Sequence, residues 1–133
     1  MKNTLKLRTF RIGDAPKRGE GLRIGTARRP PRGASKAQWK DYFDVWFPMV
    51  APSEELIRRY KRDEDYAKFC ASYERELLDH AESRQAVELL AAMALRIPVS
   101  VGCYCEDESR CHRSYLRKLI ERAARELQVA AVL

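Results

Sequence analysis

The sequence predicts an α/β fold: a small layered single domain over residues 1–133, with a short, mainly parallel sheet flanked by helices. Three observations predict it. Short β-branched segments recur between stretches of helical periodicity. The chain has 133 residues, enough for one core and too few for two. Its apolar fraction of 45% is that of a globular protein rather than a disordered one.

Leu5 to Ile12 reads as the first strand, with Leu5, Leu7, Thr9 and Arg11 on one face. Gly13 to Gly21 is a loop by its Gly and Pro content, and Leu22 to Ala27 a second short strand. Arg28-Arg29-Pro30-Pro31-Arg32-Gly33 follows as a rigid basic loop. Four helices are then expected. Ser35 and Gln38 have capping-box spacing for a helix that buries Trp39, Phe43, Trp46 and Phe47 and ends at Pro48. Ser53 is the next N-cap, with Glu54 and Glu55 suited to a helix N-terminus. Asp63 caps a helix carrying Tyr66, Phe69, Cys70, Tyr73 and Leu77, and Val87, Leu90, Ala91 and Ala94 form another after a break at His80 to Ser83. Beyond Pro98, Val99 to Cys105 is a strand. A final helix places Leu116, Leu119, Ile120, Ala123 and Leu127 on one face, followed by a short strand at Val129 to Leu133.

The start of the chain is basic without a following apolar stretch, and no apolar run approaches the roughly 20 residues of a membrane span. These features predict a cytoplasmic protein with no membrane partner. The net charge of +7 favours anionic partners, an anionic small molecule or nucleic acid. Without an extracellular context, Cys70, Cys103, Cys105 and Cys111 are not read as a disulfide framework.

Three of those cysteines fall between Cys103 and Arg113, where a strand leads through a loop into the last helix. Strand alternation puts Cys103 and Cys105 on one face, and Gly102 marks a close approach on the other. Asp107 or Ser109 can cap the helix, which places Cys111, His112 and Arg113 in or near its first turn. Free amides and the helix dipole favour an anion there, and the same field raises the thiolate fraction of Cys111.

Three chemistries fit these residue types. A phosphatase- or rhodanese-like loop from Cys105 to Arg110 is opposed by Glu106, Asp107 and Glu108, whose charges repel an anion. Zinc could take Cys103, Cys105, Cys111 and His112, but their spacing departs from paired Cys-x-x-Cys patterns. The expected site therefore has no metal or other cofactor. In it Cys111 and His112 are the candidate catalytic residues, a nucleophile and a proton carrier. Arg28, Arg32, Cys103, Cys105 and Arg113 are the candidate ligand-binding residues, the two loop arginines being presented at low entropic cost.

Several motifs occur together in order: Arg28 with Pro31-Arg32-Gly33, Pro52-Ser53-Glu54-Glu55-Leu56, Phe69 with Tyr73, Glu76 and Leu77, and Cys103 with Cys111-His112-Arg113. On these residues the chain resembles the YeaO-like family, domain of unknown function 488, from about Arg11 to Leu119. It departs from that pattern at Ala27 and Pro30, where members often carry Asp and Trp. It departs again at Cys105, where members with the Cys-His-Arg turn often carry Glu; here Glu106 is adjacent. The resemblance implies an α/β fold and a site, not a particular reaction. Its function reads as binding or acting on a nucleotide-like or nucleic-acid-like anion. The alternatives are a noncatalytic nucleic-acid-binding module and a structural zinc protein.

Overall fold

A computed structural model describes residues 4–132, with side chains to residue 130. Four strands, β1 (Leu7–Arg11), β2 (Leu22–Gly25), β3 (Val45–Trp46) and β4 (Val99–Cys103), form one all-parallel sheet in the order β1-β4-β2-β3. Four α-helices accompany it: α1 (Glu54–Asp63), α2 (Tyr66–Leu78), α3 (Ala81–Ala94) and α4 (His112–Val132).

Register separates two faces. Phe10 and Gly25 both lie level with Gly102, and Arg8 and Arg23 with Ser100, so these residues share one side of the sheet. The opposite side presents Leu7, Ile24, Val99 and Val101, which join Leu77, Leu90, Leu116 and Ile120 from the helices in the main core. Among the described residues the second face carries no α-helical layer. A smaller cluster of Phe10, Ile12, Ala27 and Phe43 covers it, with Trp39, Tyr42 and Trp46 packed alongside. Gly102 meets the expected close approach here: a Cβ would fall 2.5–2.7 Å from three carbons of the Phe10 ring. The long link from β1 to β2 crosses this same face, where Ser100 Oγ donates to the Glu20 carbonyl at 2.6 Å. Beside it Arg23 and Glu20 form a buried ion pair at 3.2 Å, with the Arg23 guanidinium 4.3 Å from the Phe10 ring centre.

Helix starts follow capping chemistry. The Ser53 side chain accepts from Leu56 N–H at the head of α1. Asp65, not Asp63, caps α2, because Glu64 takes a left-handed conformation (φ 53°) that ends α1 first. α3 begins at Ala81, after a break at Asp79 and His80.

Two expected elements differ. The segment after Ser35 forms only a 3-10 turn, Lys36–Asp41, with Gln38 Oε1 accepting from Ser35 N–H at 2.7 Å. Val45 and Trp46 then pair with Ile24 and Gly25 as the edge strand β3. Phe43 is buried, whereas Trp39, Trp46 and Phe47 are half-buried. At the other end of the chain α4 continues through Val132 in place of a strand from Val129; Leu133 lies outside the described residues. No helix among the described residues is long and apolar enough to cross a membrane.

Candidate functional site

The central strand β4 delivers Cys103 to the carboxyl edge of the sheet. The chain then passes through Tyr104 to Asp107, one 3-10 turn (Glu108–Arg110) and Cys111 before α4 begins at His112. Asp107 caps the 3-10 turn, its carboxylate accepting from Ser109 N–H at 3.0 Å. Thr9 Oγ1 donates to the Glu108 carboxylate, which ties the loop to β1. The result returns Cys111 to Cys103, and both sulfurs are almost fully buried.

The structure pairs Cys103 with Cys111 as a disulfide, where the sequence reading expected separate thiols; Cys70 and Cys105 are free. The paired Cα atoms stand 7.6 Å apart. Relaxed disulfides span about 4.4–6.8 Å, so these backbones are set wider than a disulfide ordinarily requires.

His112 sits over this pair. Its Nε2 lies 3.0 Å from the Thr26 carbonyl, which can only accept, so Nε2 carries the hydrogen. Nδ1 is then the ring's free acceptor, 3.9 Å from Cys111 Sγ. Thr26 is fixed in turn by donating its hydroxyl to the Gly102 carbonyl at 2.9 Å. The Tyr73 ring meets the imidazole edge-on at 5.7 Å between centres. Burial pushes the His112 pKa down to about 4; the Thr26 hydrogen bond opposes the shift, while the Arg113 and Arg28 charges add to it. The imidazole is thus neutral near pH 7.

Arg113 is only 4% exposed. Its Nη1 donates to Cys103 Sγ at 3.1 Å and to the Cys105 carbonyl at 2.7 Å, and its Nε has no hydrogen-bond partner. No carboxylate of the described residues forms an ion pair with it. Arg28, half-buried, donates through Nε to the Pro52 carbonyl at 3.1 Å and through Nη2 to the Ala51 carbonyl at 2.9 Å. It is likewise without an ion-pair partner among the described residues.

The other expected site residues lie further out. Arg32 is exposed, with no hydrogen bond or ion pair among the described residues; its neighbour Arg29 takes the Glu54 carboxylate instead. Cys105 is exposed, though partial desolvation of its sulfur pushes the thiol pKa up against the lowering charge of Arg113. Cys103, Cys111 and His112 therefore come together with Arg28 and Arg113, while Arg32 and Cys105 stand at the margin. Thr26 and Tyr73 belong to the cluster and were not anticipated. Thr26 follows β2 directly, at the carboxyl end of a strand, which is the one signal that could have found it. Tyr73 is indistinguishable in sequence from the rest of the α2 core stripe.

Fold and site together define a parallel α/β domain with a paired cysteine couple, an imidazole and two guanidinium groups without a carboxylate partner among the described residues, at the carboxyl edge of its sheet. Residues 7–124 match the family DUF488-N3a, described as the active DUF488-N3 subclade, and the chain belongs to that family. The YeaO-like naming is compatible with this assignment. No curated protein and no solved structure matches the chain.

Proposed function

We propose that the protein binds an anionic ligand of nucleotide or nucleic-acid type at the Cys111–His112–Arg113 turn and acts on it there. The supporting observation is the buried Arg113, whose guanidinium has only a sulfur and a carbonyl as partners. An uncompensated buried cation is costly, and an anion nearby relieves that cost. Arg28 adds a second positive charge close enough to influence His112. On this reading Cys111 is the candidate nucleophile when reduced, and neutral His112 accepts its proton through Nδ1. Arg32 and Cys105, exposed at the margin, are candidate contacts for outer parts of the ligand, and Cys103 lines the inner wall. The description of the family as active is in keeping with a working site.

The test is calorimetric titration of the reduced full chain with inorganic phosphate, adenosine monophosphate and a short single-stranded oligonucleotide. Saturable binding is expected, weakened about tenfold by Arg28→Gln or Arg113→Gln, with circular dichroism verifying the fold of each variant. One or two charge contacts give a shallow salt dependence; a nucleic-acid-binding surface gives a steep one. Lack of binding by all three ligands, or binding unchanged in both folded variants, overturns the proposal.

A further inference from the structure

We infer that Cys103, Cys111 and His112 are the protein ligands of a zinc ion whose fourth position is left for an exogenous anion. The inference rests on the site of the preceding section but gives two of its residues a different task, as metal ligands. The two sulfurs and a ring nitrogen of His112 all lie within 4.8 Å of one another. Tetrahedral zinc, bound at about 2.3 Å by sulfur and about 2.0–2.1 Å by nitrogen, holds such donors about 3.6–3.8 Å apart. The Cys111 Sγ to His112 Nδ1 separation of 3.9 Å is already near that value.

Orientation is the second argument. Histidine ligands characteristically donate their other ring N–H to a carbonyl or carboxylate, which fixes the tautomer and aims the lone pair. His112 has this arrangement, with Nε2 on the Thr26 carbonyl at 3.0 Å and Nδ1 turned toward the sulfurs. Cys103 Sγ likewise receives a hydrogen bond from Arg113 at 3.1 Å, an outer contact that favours thiolate. Backbone spacing agrees. Cα atoms 7.6 Å apart are wide for a disulfide and give two thiolates room to open around an ion. Two thiolates and an imidazole also match zinc better than hard, oxygen-preferring cations.

Charge specifies the fourth ligand. Two thiolates (−2) and zinc (+2) cancel, and Arg113 (+1) and Arg28 (+1) leave the site positive, with Cys103, Cys111 and Arg113 all buried. An anionic fourth ligand, hydroxide or a phosphate-type oxygen, offsets that charge. Cys105, the remaining thiol of the segment, is exposed and outside the ligand cluster. Reaching the zinc form from the paired form takes two electrons. Two small-molecule thiols supply them by exchange, leaving joined as one disulfide and passing their two protons to Cys103 and Cys111; zinc then displaces those two protons to solvent.

The experiment is metal analysis of the full chain purified under reducing conditions without chelator, followed by replacement of zinc with cobalt. One zinc per chain is expected. The cobalt protein should show thiolate-to-cobalt charge transfer and the visible bands of a tetrahedral ion. Cys105→Ser should keep both stoichiometry and spectrum, whereas Cys103→Ser and Cys111→Ser should lower zinc affinity at least about tenfold. Phosphate should shift the visible bands. Substoichiometric metal that added zinc fails to raise, or loss of metal in folded Cys105→Ser, overturns the inference. Phosphate binding equally strong in metal-free protein, with its dependence on Arg28 and Arg113 intact, overturns the anion-bearing fourth position while leaving the anion reading standing. A tetrahedral cobalt spectrum unmoved by phosphate, adenosine monophosphate and oligonucleotide overturns the open fourth position and the anion reading together.

Discussion

Gly102→Ala tests whether the second face of the sheet is packed as tightly as the first. Gly102 lies on central β4 between Val101 and Cys103, level with Phe10 on one neighbour and Gly25 on the other. A methyl group there meets the Phe10 ring at 2.5–2.7 Å, against ordinary contact at 3.4 Å or more, so the ring must shift by close to an ångström. The Arg23 guanidinium, 4.3 Å from the ring centre and ion-paired to Glu20, restrains that shift. Overpacking of this kind costs about 1–3 kcal/mol, offset by the roughly 0.5–1 kcal/mol that Ala gains over Gly within a strand. The net loss is about 1–2 kcal/mol. With an unfolding entropy of about 2.1 cal/mol/K per residue, a chain of this length loses about 4–7 °C in Tm. Differential scanning calorimetry measures it. Pairing the change with Phe10→Leu should recover part of the loss, a coupling read from the double-mutant cycle. A Tm equal to or above that of the wild type would refute the packing argument, because entropy alone predicts stabilisation.

Two further predictions concern charge. In chelator-treated protein, His112 takes up its proton near pH 4 when folded and near 6.5 when unfolded, so the folded state binds fewer protons between those values. Stability present above pH 6.5 is therefore lost as pH falls toward 4, by up to about 3 kcal/mol relative to His112→Gln. Urea titrations across that range measure the difference, and parallel curves for the two proteins contradict the buried neutral imidazole. Glu20→Gln leaves Arg23, 4% exposed, without its carboxylate and should cost about 3–5 kcal/mol in urea denaturation. A cost below about 1 kcal/mol would show that Arg23 reaches solvent.

The strands at Leu22 and Val99 were legible because β-branched and apolar residues lie between turn signals, and α1 because Ser53 and two glutamates mark its start. The segment from Lys36 to Phe47 was not. Its aromatics follow helical spacing, but Asp44 N–H donates to the Arg23 carbonyl at 2.8 Å and its carboxylate accepts Arg23 N–H at 2.8 Å. These long-range bonds hold Val45 and Trp46 against β2, a tertiary effect that local periodicity does not carry. The end of α4 was misread for the opposite reason. Val129 suggested a strand, yet Leu127, Gln128, Ala130 and Ala131 are good helix formers and no Gly or Pro interrupts them. Within the site, the convergence of Cys103 with Cys111 follows from strand, loop and helix order. The outward placement of Cys105 does not, because the chain leaves β4 at Cys103 and strand alternation stops there.

The position of the cluster follows from where the connections leave the sheet. The chain leaving β1 turns over the face of Phe10 and Ser100 to reach β2, and the chain leaving β2 covers that same face through Phe43 before returning as β3. β4, the neighbour of both, sends its chain to the other face, into α4 against the main core. Connections departing to opposite faces from neighbouring strands open the carboxyl edge between them, and in parallel sheets that is where ligands sit. Thr26 and Arg28 reach this edge from β2, and Cys103, Cys111, His112 and Arg113 reach it from β4. The Thr26–His112 hydrogen bond closes across the gap at 3.0 Å. A substitution that loosens the β2–β4 junction, such as Thr26→Val, should therefore reorient His112 even though it removes no site charge.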